Sequence, residues 1–138
     1  MPLLHRHRWL LGVTFLLSLA LSFGLLGGCE PAEAQVNDAL AIRAIIGEAS
    51  NQGFEGMTAV AEAIRNRGHL KGIYGLESKH VDKEPSWVLD RARMAWERSK
   101  TSNLVHGANM WENEKAFGRP NWDFSKLIFC ATVGDHNF

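Results

Sequence analysis

Glu48 is the side chain in this sequence best placed to move a proton. It stands between Gly47 and Ala49 at the end of an otherwise apolar segment. A carboxyl placed there loses solvation, which favours its protonated form, and a general acid working near neutral pH requires that form. The simpler alternative is a helix-end carboxylate bonded to nearby backbone or to Arg65 or Arg67. Other chemistries lack their parts. His69, His80, His106 and His136 are dispersed, with no His-x-x-x-His or Cys-x-x-Cys spacing, so neither a metal centre nor another cofactor is expected. There is no Gly-x-Ser-x-Gly elbow, phosphate loop or basic stripe. With 15 basic and 15 acidic side chains the formal charge is balanced, which speaks against a nucleic-acid partner.

Two helices and an elbow must hold Glu48 in place. Asn37 and Asp38 suit a helix start, and Leu40, Ala44 and Ile45 repeat at helical spacing, predicting a helix from about Asn37 to Ala49. Gly53 and Gly56 mark a break where positive φ costs glycine little. Met57, Val60, Ala61 and Ile64 then predict a second helix over Glu55–Arg67, stopped by Gly68. On it, Glu55 reads as a partner for the helix dipole and Glu62 as part of an exposed face. Gly68 to Lys83 reads as a long loop, with Gly72-Ile73-Tyr74-Gly75 adding little. Pro85 favours a third helix start, with Val88, Ala92, Ala95, Trp96 and Ser99 as its buried stripe and Trp87 assigned to the core with Trp96. Leu127 to Val133 reads as a buried strand that would also bury Cys130. The fold class is therefore α+β: about three main helices with a small C-terminal antiparallel sheet. A hundred or so residues can bury a workable core without disulfides.

The first 28 residues differ from the rest. Arg6 and Arg8 form a positive start, Trp9 to Leu26 is a Leu-rich run without charge, and Leu26-Gly27-Gly28-Cys29 follows. That layout reads as a secretory signal peptide over residues 1–28, with a membrane-spanning anchor as the alternative. The Leu-Gly-Gly-Cys ending resembles the bacterial lipobox, which implies lipidation of Cys29 and a membrane partner through that anchor. Glu30 after the cysteine resembles lipoproteins sorted to the outer membrane. Residues 29–35 form the lipidated cysteine and a short polar linker, and residues 36–138 the domain. Six extended linker residues reach roughly 20 Å, so the domain works close to its membrane.

Gly47-Glu48-Ala49, then Glu55-Gly56-Met57, Ala59-Val60-Ala61, Ile64 and Asn66-Arg67 resemble the signature of the SleB/CwlJ-type cell-wall hydrolases. The stretch Val105 to Asn113 and the ending Gly134-Asp135-His136-Asn137-Phe138 resemble later parts of the same family. The resemblance implies a catalytic domain with a lysozyme-like groove and peptidoglycan glycan strands as its partner. It also implies a lytic transglycosylase reaction between N-acetylmuramic acid and N-acetylglucosamine, in which Glu48 serves as acid and then base while the muramic C6 hydroxyl attacks. Gln52, Trp111, Asn113, Trp122 and His136 become candidate sugar contacts, each of the two tryptophans and Asn113 being as readily core. Many relatives carry a second Glu where this chain has Gln52, so that position supplies no ionisable base. Met110, Asp135 and Asn137 also depart from the family pattern. Three other readings stay open: a water-using muramidase, an N-acetylmuramoyl-L-alanine amidase, and a peptidoglycan-binding envelope lipoprotein without activity. A regulatory protein partner is a further expectation, since no wall-binding module is recognisable.

Overall fold

A computed structural model describes residues 36–138; the signal peptide read at 1–28, the lipidation of Cys29 and the linker to residue 35 lie outside the described residues. The fold is α+β, helices first and a two-stranded antiparallel sheet at the C-terminus. Helix α1 spans Asp38–Ala49, and Asn37 caps it by accepting from the Leu40 N–H at 3.1 Å. Helix α2 spans Gly53–Arg67, two residues earlier than the apolar spacing indicated, because Gly53 itself takes the positive φ (68°) that turns the chain. Gly68 ends α2 in the left-handed conformation, its N–H reaching the Ile64 and Arg65 carbonyls. Helix α3, Ser86–Arg98, begins after Pro85.

These three helices pack on one another around a core of small and branched side chains. Ala41, Ala44, Ile45 and Ala49 of α1 meet Met57, Val60, Ala61 and Ile64 of α2, all fully buried, with Val88, Ala92, Ala95 and Trp96 of α3 closing the third side. So many alanines bring the helix backbones close together. Arg65 of α2 pins α3: its Nε donates to Ser99 Oγ at 2.7 Å, its Nη2 donates to the Trp96 carbonyl at 2.9 Å, and its guanidinium lies 3.5 Å from the Trp96 ring centre.

Several sequence expectations are corrected. Leu40 is half exposed, and Trp87 is 54% exposed under the Arg91 guanidinium rather than in the core. The segment after Gly68 is not a free loop. It holds two 3-10 turns, Tyr74–Glu77 and Lys79–Lys83, tied to α1 because Arg43 donates to the Leu76 carbonyl (2.9 Å) and pairs with Asp82 (2.6 Å). Leu127 to Val133 is not a buried strand either. Regular strand is confined to Thr132–Val133 (β1), antiparallel with His136–Asn137 (β2) and extended by backbone bonds from Cys130 and Ala131 to Phe138, while Ile128 and Phe129 are largely exposed and Cys130 is half-buried. The apolar run lines a cleft instead, as described below. Glu62, expected on an open face, is 3% exposed.

Candidate active site

Glu48 lies on the last turn of α1, where two other parts of the chain converge on its carboxyl. Gly75, in the first 3-10 turn, donates its N–H to Glu48 Oε1 at 2.6 Å. Trp111 donates its indole Nε1–H to Oε2 at 3.2 Å. The carboxyl is only partly buried, and these two donors take the place of the water that the apolar segment removes. The alternative partners Arg65 and Arg67 are engaged elsewhere, on Ser99 and Trp96 and on the Lys71 carbonyl.

The approach of the Gly75 turn depends on two glycines. A Cβ on Gly47 would fall 2.0 Å from the Gly75 carbonyl oxygen, and one on Gly75 would fall 2.8 Å from both the Ala44 carbonyl oxygen and Glu48 Cγ. Backbone therefore lies directly on backbone, and the Gly75 N–H reaches the carboxyl only because both side chains are missing.

Trp111 connects Glu48 to a cleft of about 580 Å³. Trp111, Trp122, Phe124, Met110 and Phe138 contribute its apolar wall, and the Leu127–Cys130 run lines another part of it. Polar groups are few: Asn109, Glu112, Glu114, Lys126 and Asn137. Glu48 itself does not line this cleft; the indole that bonds it does. Flat aromatic faces with scattered amides and acids suit a ligand that has both apolar faces and hydroxyl edges.

The remaining candidates from the sequence fall in three places. Trp122 joins Trp111 on the cleft, its ring 6.2 Å from that of Phe124. His136 lies on β2, 2% exposed, with Nδ1 enclosed and without a partner. Burial holds its imidazole below the ordinary value, and the negative charges of Glu48, Asp135 and Glu112 partly oppose that. Gln52 and Asn113 do not line the cleft and bond within the fold. Gln52 Oε1 accepts from the Asp135 N–H (2.9 Å) and its Nε2 donates to Asp135 Oδ2 (3.2 Å), fastening the β1–β2 turn to the elbow after α1. Lys115 bonds the other Asp135 oxygen at 2.9 Å, and Lys115 first, then Gln52, holds the Asp135 carboxyl below its ordinary value. Asn113 caps the short helix α4, Glu114–Phe117, by accepting from the Ala116 N–H.

Sequence reasoning missed Gly75 and Glu112. The signal for Gly75 was a glycine in a segment otherwise read as a loop, and only the partner surface on α1 explains it. Glu112 lines the cleft beside Trp111, and its Oε1 accepts from Asn137 Nδ2 at 2.7 Å while Oε2 is enclosed without a partner. Among the described residues no three His, Cys, Asp or Glu side chains gather into a metal-binding group. Compared with protein families, curated proteins and solved structures, the chain matches none.

Proposed function

We propose that the domain is a peptidoglycan-degrading cell-wall hydrolase, a lytic transglycosylase that cleaves the glycosidic bond between N-acetylmuramic acid and N-acetylglucosamine. The observation that carries this reading is the carboxyl of Glu48, oriented by Gly75 and Trp111, with Trp111 also forming the wall of an aromatic cleft. In the proposed reaction Glu48, as the acid, gives its proton to the glycosidic oxygen while the bond from muramic C1 to that oxygen breaks. The resulting carboxylate then takes the proton of the muramic C6 hydroxyl as that oxygen closes on C1. No water is consumed, and Glu48 ends protonated, ready for the next bond.

Glu112 is the one observation that favours a water-using muramidase, which requires a second carboxyl. Its Oε1 accepts from Asn137 Nδ2 and its Oε2 is enclosed, so the carboxyl is turned into the fold at the C-terminal strand. The lytic reading needs no such group. The same proposal takes the protein to be a cell-envelope lipoprotein, anchored through Cys29 on the periplasmic side of the outer membrane, a reading supported by the Leu26-Gly27-Gly28-Cys29 stretch.

Mass spectrometry of fragments released from purified sacculi tests the reading. Anhydro-muropeptides are expected. Reducing muramic ends would transfer the assignment to a hydrolase, and freed stem peptides to an amidase. Retention on sacculi with no release would identify a binding protein.

A further inference from the structure

Glu62 occupies a costly position. Its neighbours on α2, Ala59, Val60, Ala61, Ala63 and Ile64, are all fully buried and apolar, and Glu62 is 3% exposed among them. One of its oxygens, Oε1, is enclosed with no partner. A carboxyl buried with half its accepting capacity unused destabilises the fold relative to an apolar side chain of similar size. Stability alone therefore does not account for a glutamate here.

Its other oxygen does one thing: Oε2 accepts from the Val105 N–H at 3.0 Å. One helical turn further along α2, Asn66 donates from Nδ2 to the Ala108 carbonyl at 2.8 Å. Val105 and Ala108 are the two ends of a single turn, closed by the Ala108 N–H on the Val105 carbonyl at 2.9 Å. Its central residues, His106 (φ 50°) and Gly107 (φ 86°), both have positive φ, as a type I′ turn requires. His106 takes that conformation at more cost than Gly107 does, so contacts from outside the turn help to fix it. Glu62 and Asn66 supply them, one holding the donor end and the other the acceptor end.

The turn leads directly into the site. Gly107 and Ala108 line the cleft, and three residues later Trp111 donates to Glu48. We propose that Glu62, with Asn66, is a positioning residue for the Trp111–Glu48 pair, acting through the Val105–Ala108 turn. It touches neither the cleft nor Glu48, and its catalytic consequence rests on reading Glu48 as the acid and base.

The test is arranged so that this inference and the proposed function fail separately. Full-length protein carrying ¹⁵N in its tryptophan indoles gives a signal for Trp111, identified by its loss in Trp111→Phe. Glu62→Leu removes the acceptor for Val105 and should shift the Trp111 signal while that of Trp87, half exposed at the start of α3, stays in place. Glu62→Gln retains one accepting oxygen and should leave Trp111 near its original position. On sacculi, Glu62→Leu should lower release by about ten- to a hundredfold, the scale on which small misplacements act, with sacculus binding retained. In a Trp111→Phe background the same substitution should add little further loss, since both act on one contact. An unmoved Trp111 signal in folded Glu62→Leu overturns the inference, and so does equal damage from Glu62→Gln and Glu62→Leu. If Glu62→Leu does not fold, Asn66→Ala decides by the same signal: a shift supports the proposal and an unmoved peak overturns it. Wild-type protein that releases nothing from sacculi refutes the proposed function, and the indole signals still judge the positioning role.

Discussion

Replacing Gly47 with alanine separates local helix preference from the tertiary contact that builds the site. Gly47 lies inside α1, where alanine is favoured over glycine by about 1 kcal/mol, so helix propensity alone predicts a more stable protein. The structure predicts the reverse. The new Cβ would sit 2.0 Å from the Gly75 carbonyl oxygen and 2.5 Å from two further backbone atoms of that turn, none of which can rotate away. Forcing them apart costs about 1–3 kcal/mol, and lifting the turn breaks the 2.6 Å bond from Gly75 to Glu48, worth about 1 kcal/mol net. Set against the propensity gain, the net loss is about 1–3 kcal/mol. For a domain of about 100 residues, that lowers Tm by roughly 5–15 °C. Thermal unfolding followed by circular dichroism reads this directly, and fragment release should fall with it because Glu48 loses one of its two partners. A Tm equal to or above that of the unsubstituted protein would refute the backbone-on-backbone account of the site.

Glu48→Gln should keep the fold and sacculus binding while lowering fragment release at least about a hundredfold, the contribution of one acid–base group; release near the unsubstituted rate removes Glu48 from the mechanism. His136 gives a pH dependence whose sign follows from its burial. Its folded-state pKa lies below the unfolded value of about 6.5, so its contribution is fully present above pH 6.5 and is lost as pH falls through the folded value. Urea midpoints should therefore drop from pH 7.5 to pH 5 in the native sequence and drop less in His136→Gln; equal drops refute the assignment. Cys130 lines the cleft half-buried, so a small thiol reagent should label it in the folded protein, and a bound glycan fragment should slow the reaction. Labelling only after unfolding would mean that the cleft is closed to small molecules.

The helical half was legible because its information is local. Asn37 as cap, the α2 apolar spacing, the Gly68 stop and the α3 stripe from Val88 to Ser99 all lie within a few residues of what they determine. The position of Glu48 at the end of α1 was legible for the same reason, its apolar segment being continuous in sequence. Its partners were not. Gly75 lies 27 residues away and Trp111 63 residues away, and nothing in their own neighbourhoods states which surface they meet. Leu127 to Val133 misled because an apolar β-prone run reads alike whether it enters a core or lines a cleft. Glu62 misled because a charge is normally solvated, and the turn that justifies its burial begins 43 residues later.

The two halves are also held together by different forces, and that difference separates stability from function. The helices join through buried alanine, valine and isoleucine surfaces. The sheet has only two residues in each strand, too little to persist by itself. Backbone bonds from Cys130 and Ala131 to Phe138 and between Glu112 and Asn137 extend it, and polar side chains add to them: Gln52 holds its turn, and Glu112 Oε1 accepts from Asn137 Nδ2 at 2.7 Å. The Val105–Ala108 turn is fixed in the same way, by Glu62 and Asn66. Each fastener ties one stretch around the site to a specific side chain, and each contributes only about 1 kcal/mol net. Removing one should therefore leave the helical core folded while the cleft, His136 and Trp111 lose their fixed relation to Glu48. Substitutions that disable this protein without unfolding it are expected at these polar fasteners, whereas equal-sized cavities among the core alanines and isoleucines should unfold it first.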